Sequence, residues 1–429
     1  MGRVEEVRVE GLANGGDALG TLRSGKVVFI PRGVPGDLLR VRLTREKKRW
    51  ARGEILEVVE ASEHRREARC EAFRRGCGGC DFWHFDYERE LAWKSEAARE
   101  AMERISGVEF PAPRVVGASP VEGSRSRSTF HQRRRDQVVQ VGFFEAGSHR
   151  VVGVDACPMA AEEINRGLSE VREGLALLGK AEIRVETAGG GQVVMVVDAP
   201  GGRIGAARAA VERAVARSET VKGVVVRGSG ESFRVGELGV EAGEVLAAPP
   251  VEGARMEPGG FRQAHRGLNG RLVAMVRDAV GERWDRSRVV EGFCGAGNFS
   301  FALAPVVSEL VGLEGAREAV EVARRLAEDG GAEHLHFEVA DLFEAGAIES
   351  YLRGGEVVVL DPPRAGAVEV CRSVAASDVV GVVYVSCDPG CLGRDLRELK
   401  EGFIVESVTF VDMFPRTSHV ETVVVLSRR

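Results

Sequence analysis

From about residue 251 onward the chain alternates short apolar strands with helices, and no other feature constrains its fold as strongly. Strands are expected at Val289–Val290, Leu310–Leu313, His336–Val339, Val357–Leu360 and Val382–Val385, with a helix over Leu268–Val280 before them. Each strand-to-strand step needs a helical crossover, so the strands run parallel and helices cover both faces. The last two apolar runs, Phe403–Val411 and Val420–Leu426, are joined by a short loop and so read as an antiparallel hairpin closing one sheet edge. No apolar stretch approaches the ~20 residues that a membrane-spanning helix needs. The first ten residues are charged throughout and lack the apolar core of a targeting signal. Eight Cys in 429 residues do not make a disulfide scaffold. A cytoplasmic, reducing setting is expected, which makes the Cys candidates for metal binding and catalysis.

In such sheets ligands collect beyond the carboxyl ends of the strands. Val289-Val290 leads into Glu291-Gly292-Phe293-Cys294-Gly295-Ala296-Gly297-Asn298, a Gly-rich turn whose backbone a ligand can approach closely. Leu310–Leu313 ends in Glu314, where an acid can accept both ribose hydroxyls of a nucleoside. The next two strands run to Asp341 and Asp361. Three acids in register indicate a nucleoside-type cofactor, and the missing third Gly of the dinucleotide spacing favours S-adenosylmethionine over NAD. Val382–Val385 runs into Ser386-Cys387-Asp388-Pro389-Gly390, where Pro389 suits the first turn of a following helix. Cys387 then lies between a strand end and a helix N-terminus, where the dipole and free N–H groups favour thiolate. A Cys there is either a small buried side chain or a nucleophile, and its place beside the cleft selects the nucleophile. Cys294, Cys371 and Cys391 lack that combination and read as structural.

Residues 1–60 read as a small β module, with short alternating runs at Val4–Val9, Val27–Ile30, Leu38–Leu43 and Gly53–Val58. Strands this short at this spacing suggest a five-stranded barrel. The net charge of −6 gives no sign of nucleic acid, but it is an average. Residues 22–52 hold ten basic and two acidic side chains, densest at Arg40, Arg42, Arg45, Lys47, Lys48, Arg49 and Arg52, with Trp50 among them. A solvated loop is seldom so one-sided, and contact with an RNA or DNA backbone is expected. A second basic cluster is Arg125, Arg127, Arg133, Arg134 and Arg135. Residues 61–250 mix a helix over Asp86–Ile105, helices near Ala160–Leu178 and Ala206–Arg217, and strands at Val138–Phe144, Val151–Val154, Val193–Val197 and Val221–Val226. Cys70, Cys77, Cys80 and Cys157 lie in this part, and their spacing suits structural zinc as well as an iron–sulfur cluster.

Three motifs then occur in order: Asp361-Pro362-Pro363-Arg364, Ser386-Cys387-Asp388-Pro389, and the run from Asp412-Met413-Phe414-Pro415-Arg416 through His419 to Glu421. Together they resemble the RNA uracil-5-methyltransferase family. The four Cys, with Asp155-Ala156-Cys157-Pro158, are similar to its iron–sulfur branch, and Ile30-Pro31-Arg32-Gly33-Val34-Pro35-Gly36-Asp37 resembles the TRAM RNA-binding barrel. The resemblance covers nearly the whole chain. It implies an α/β class I (Rossmann-like) methyltransferase domain with an antiparallel C-terminal hairpin, an N-terminal five-stranded barrel and an α+β central domain. The implied boundaries are 1–60 for the barrel, 61–90 with 122–250 for the central domain, and 91–121 with 251–429 for the catalytic domain.

The resemblance also implies S-adenosylmethionine-dependent methylation of carbon 5 of a uridine through a covalent adduct with Cys387. Glu421 is the implied base. Gln263, Phe293, Asn298, Glu314, Asp341 and Asp361 are the implied cofactor or substrate contacts. Cys70, Cys77, Cys80 and Cys157 are the implied ligands of a [4Fe-4S] cluster, with zinc as the alternative. The partner is RNA with its target uridine flipped from the stack, and a monomer without membrane association is expected. The pairing of barrel and cluster points to 23S rRNA, with the T-loop uridine of tRNA as the alternative substrate and a non-catalytic RNA-binding relative as the other reading. A radical methylthiotransferase would need a Cys-x-x-x-Cys-x-x-Cys loop, which this sequence does not contain. Two positions depart from the family pattern: Arg262 where a second aromatic is usual, and Glu291 where Asp is usual.

Overall fold

The computed structural model describes residues 3–135, 138–201 and 204–429, with the side chain of Arg135 outside the described part. At the N-terminus, β1 (Val4–Leu12), β2 (Ala18–Thr21), β3 (Val27–Ile30), β4 (Leu38–Glu46) and β5 (Trp50–Glu60) close into a barrel in the order β1-β2-β3-β5-β4. Strand alternation explains its interior: Val7, Val9, Leu39, Val41 and Leu43 point inward, while Arg40 and Arg42 point out.

A short helix α1 (Glu71–Arg74) and a long helix α2 (Tyr87–Ser106) follow, then the three-residue strand β6 (Arg114–Val116). The central domain is a seven-stranded sheet ordered β13-β12-β11-β10-β7-β8-β9. Its strands are β7 (Arg127–Arg135), β8 (Val138–Phe144), β9 (Val151–Gly153), β10 (Ala181–Gly189), β11 (Gln192–Asp198), β12 (Val221–Arg227) and β13 (Ser232–Gly236). Helices α3 (Glu162–Leu175) and α4 (Ile204–Arg217) bury Ile164, Leu168, Ala207 and Val211 against Ile183, Val185, Met195 and Val226 of the sheet. The sequence pattern did not indicate β7. Its residues are largely polar, and it is a strand because β8 and β10 pair with it on both sides.

After the small ladder β14 (Val240–Glu241) and β15 (Arg255–Met256) comes the catalytic unit. It comprises α5 (Arg266–Trp284), β16 (Arg288–Gly292), α6 (Ser300–Leu303), β17 (Glu309–Glu314), α7 (Arg317–Asp329), β18 (Leu335–Val339), β19 (Val357–Leu360), α8 (Val368–Ala375), β20 (Gly381–Ser386), α9 (Pro389–Leu399), β21 (Phe403–Val411) and β22 (Glu421–Arg428). The sheet order is β18-β17-β16-β19-β20-β22-β21-β6. The strands from β18 to β20 are parallel, β22 runs antiparallel between β20 and β21, and β6 pairs in parallel with β21. The chain reverses its direction of winding at β16, so the crevice beyond β16 and β19 is where a ligand fits. Helix α2 lies against α9, where Gly393 leaves room for the backbone of Met102. Apolar side chains fill both faces of the sheet, with Val289, Val357 and Val383 on one and Val290, Val358 and Tyr384 on the other.

Candidate active site

Backbone register assembles the centre of the site. β20 and β22 pair Ser386 with Thr422 in antiparallel fashion, so the next residues outward, Cys387 and Glu421, face each other. β19 pairs Leu360 with Tyr384 in parallel, so Asp361 leaves the same end of the sheet one strand away. Gln263, from the turn before α5, donates through Nε2 to Asp361 Oδ2 at 3.2 Å. Cys387, Asp361, Glu421 and Gln263 therefore meet at one edge, although they lie up to 158 positions apart in the sequence.

Burial dominates the electrostatics. The Glu421 carboxyl is buried and sits beside Asp361, and both effects push it well above the ordinary carboxylate range. Burial likewise raises Asp361 to about 7. The Cys387 thiol is pushed up to about 12, first by burial and then by the charge of Glu421, while Arg364 opposes the shift. This corrects the expectation of a helix-stabilised thiolate. Asp388 caps α9 by accepting from Cys391 N at 2.9 Å, which occupies a helix-end N–H that was expected to be free. Arg364, which the sequence reading did not single out, reaches His419 Nε2 at 3.0 Å. Its signal was its place directly after the strand-end Asp361-Pro362-Pro363.

The other side of the cleft is built from the turn after β16. Phe293 takes the left-handed region at φ +63°, and Gly295 and Gly297 follow at +55° and +94°. At Gly297 a Cβ would lie 2.6 Å from the Phe301 ring, so glycine is required there. Glu314, at the end of β17, accepts from Gly295 N at 3.1 Å and from Ala316 N at 2.8 Å. Asp341 is exposed beyond β18 and accepts from Phe343 N at 3.0 Å, and the Phe343 ring lies 5.6 Å from that of Phe293. Asn298 is occupied structurally: it exchanges amide hydrogen bonds with Asn269 and accepts from Ala247 N. Glu291 is buried, accepts from Ser300 Oγ, has one oxygen without a partner and is raised to about 8 by burial. Arg262 forms a buried ion pair with Glu186 and donates to Thr187 O, which ties the Gln263 turn to the central sheet. Neighbouring Phe261 is 74% exposed.

Cys70, Cys77, Cys80 and Cys157 line one small cavity in the central domain, all as free thiols. Gly79 N donates to Cys77 Sγ at 3.4 Å, and Arg125 Nη2 lies 3.6 Å from Cys80 Sγ. Among the described residues, no three His, Cys, Asp or Glu side chains converge closely enough to hold a single metal ion. The barrel's basic face is also narrower than its composition suggests. Arg40, Arg42, Arg52 and Lys26 are paired with Glu57, Glu54, Asp17 and Glu46. Among the described residues, Arg45, Lys47, Lys48 and Arg49 at the β4–β5 tip carry no ion pair, and Arg45 stacks 5.5 Å over Trp50. Among the described residues, no helix is long and apolar enough to cross a membrane.

Comparison with known proteins places these features side by side. A family model described as tRNA (Uracil-5-)-methyltransferase matches residues 343–429, a TRAM domain model matches 1–56, and a methyltransferase domain model matches 285–360. A 23S rRNA (uracil(1939)-C(5))-methyltransferase of Shewanella amazonensis is 33% identical, covering 92% of this chain and 90% of the relative. An uncharacterized RNA methyltransferase of Gloeobacter violaceus is 32% identical over 100% of this chain and 97% of its own. The crystal structure of the Pyrococcus abyssi tRNA (uracil-54, C5)-methyltransferase with S-adenosyl-L-homocysteine superposes with a TM-score of 0.73, covering 98% of this chain and 100% of that one at 22% identity.

Proposed function

Because the chain belongs to the RNA uracil-5-methyltransferase family, we propose that it methylates carbon 5 of one uridine in 23S rRNA. The observation that carries this reading is the strand register that sets Cys387, Asp361 and Glu421 around one edge of the sheet. Carbon 5 of uracil is too weak a nucleophile to be methylated directly. In our reading the Cys387 thiol gives its proton to solvent as its sulfur bonds to carbon 6, and the electron pair of the 5,6 double bond moves toward oxygen 4 and makes carbon 5 nucleophilic. Arg364 is the cation beside the thiol that favours loss of its proton. S-adenosylmethionine, when bound, supplies the methyl group that carbon 5 takes. Glu421 then removes the carbon 5 proton, the double bond reforms and the Cys387 thiolate leaves. Gln263 and Asp361 hold the uracil edge, and the base reaches them by flipping from its RNA stack.

The residues present fit the cofactor. The positive-φ turn over 293–297 leaves backbone exposed, and the acids Glu314 and Asp341 stand on successive strand ends at its rim. Asn298 also holds this turn through Asn269 and Ala247. The four Cys line one cavity and receive N–H donors at sulfur, and we read them as ligands of an iron–sulfur cluster, with one zinc ion as the alternative. We read the cluster as structural and the chain as a cytoplasmic monomer of three units bounded at 1–60, 61–90 with 122–250, and 91–121 with 251–429. Anaerobically purified protein is expected to be brown, with about four iron atoms per chain. Stoichiometric zinc in colourless protein would sink this assignment.

The reaction is tested with two variants. Cys387→Ala abolishes methyl transfer, and Glu421→Gln accumulates a protein–RNA adduct that survives denaturation. Normal turnover by the Gln variant would remove Glu421 from its role, and normal turnover by the Ala variant would leave a non-covalent route. Mapping 5-methyluridine in rRNA and tRNA from cells with and without the gene decides between 23S rRNA and the tRNA T-loop.

A further inference from the structure

A buried group of charges joins the loop before Glu421 to the segment that leaves the Cys cluster. Lys94, Glu90 and Asp412 have side chains at most 2% exposed, and Arg416 joins them at 9%. Lys94 Nζ lies 2.6 Å from Asp412 Oδ1 and donates to Thr417 O at 3.2 Å. Tyr87 donates to the other Asp412 oxygen at 2.6 Å. Glu90 accepts from Arg416 N at 2.6 Å and from Arg416 Nη1 at 3.0 Å. Arg416 holds φ +65°, a conformation that a non-glycine residue keeps only when its surroundings over-determine it. Asp81, the residue after Cys80, donates its N–H to Arg416 O at 2.8 Å and accepts from Ser418 N at 2.8 Å.

Two acids and two bases desolvated together bring little net stability, because their mutual attraction is spent against lost hydration. What such a group does supply is one arrangement of the backbone that carries it. Every residue it grips on the C-terminal side lies within 412–418, between the end of β21 and the first residue of β22, which is Glu421.

We propose that Lys94, Glu90, Arg416 and Asp81 are positioning residues that hold the 412–420 loop so that Glu421 stands against Cys387, and that through Asp81 this geometry is tied to the Cys turn. The proposal rests on the reading of Glu421 as the base. A mispositioned base slows removal of the carbon 5 proton, which follows adduct formation, and leaves RNA binding intact.

The test uses full-length Lys94→Met and Asp81→Ala, with Lys94→Arg as the conservative control and Glu421→Gln alongside. Turnover, KM for RNA, denaturation-resistant adduct, iron content and the rate at which iodoacetamide alkylates Cys387, followed on its own peptide, are measured for each. Should Lys94→Met fail to fold, Asp81→Ala, which removes the acceptor for Ser418 N, carries the test. The expected result is a fall of roughly 10- to 100-fold in kcat, with KM for RNA within about twofold. Adduct accumulates, Cys387 alkylates faster as the displaced loop uncovers its thiol, and Lys94→Arg recovers part of the rate. Wild-type adduct levels and wild-type alkylation in both variants overturn the proposal, whatever happens to turnover. If Glu421→Gln turns over normally, the base reading falls, and the alkylation rate alone then decides whether these residues hold Glu421 in place.

Discussion

Burial pushes both Cys387 and Glu421 toward their neutral forms, with Glu421 adding to the shift of Cys387 and Asp361 to that of Glu421, so the resting site stores protons that the reaction must release. The catalytic forms are the deprotonated ones. The value of kcat/KM for RNA should therefore rise by about tenfold per pH unit below the pKa of the controlling group, and keep rising above pH 7. A profile already flat at pH 6 would show that these groups do not control the free enzyme. The same shifts bear on stability. Asp361 and Glu421 keep protons in the folded chain at pH values where the unfolded chain has lost them, so stability falls as pH rises from the ordinary carboxylate range through about 7. Glu421→Gln, neutral at every pH, should gain on the order of 1 kcal/mol at pH 8, or about 2 °C in Tm. A calorimetric scan that shows a loss there would mean that the carboxylate has a stabilising partner.

At the level of elements, the site depends on β19, β20 and β22 ending in step. Asp395 on α9 fastens two of these ends: it accepts from Tyr384 Oη at 2.6 Å, from β20, and from Ala367 N at 2.6 Å, in the segment that follows Asp361. Tyr384→Phe removes one donor from a fully buried carboxylate and should cost about 1–2 kcal/mol of stability, with a larger fractional loss in kcat than in RNA affinity. Equal losses in both, measured by urea unfolding and steady-state kinetics, would indicate a purely structural bond. Helices α2, α3, α4 and α5 were legible from periodicity to within a few residues at their ends. α5 runs to Trp284 rather than Val280 because its last turn packs Trp284 against Gly381, a contact between distant parts of the chain.

Across the whole molecule, charge and contact divide the labour. The ion pairs on the barrel wall neutralise Arg40, Arg42 and Arg52 and leave the β4–β5 tip as its positive end. Replacing Lys47, Lys48 and Arg49 together by Ala should weaken RNA binding and lower the slope of log K against log salt by up to about 3, while kcat at saturating RNA is kept. An unchanged slope in a salt titration would move the RNA path off this tip. The barrel is also joined to the catalytic unit. Gly16 in its β1–β2 turn lies against Ser418 and Phe82, where a Cβ would come within 2.9 Å of Ser418, and Arg32 stacks 4.2 Å over Phe73 beside the Cys cavity.

The sequence by itself determined the parallel sheet, its terminal hairpin, the five-stranded barrel and the presence of chemistry at each strand end. Periodicity and turn residues are local properties, so a run such as Val357–Leu360 ending in Asp361 carries its own meaning. Tertiary structure decided what depends on partners far away in the chain. It made β7 a strand through its neighbours' backbones and brought β6 from residues 114–116 to complete the catalytic sheet. It engaged Asn298 with Asn269 and kept the Cys387 thiol protonated. It also buried Lys94, Glu90, Asp412 and Arg416 as one group. Protonation and pairing follow from desolvation and from which charges meet after folding, and neither is present in a linear order of residues.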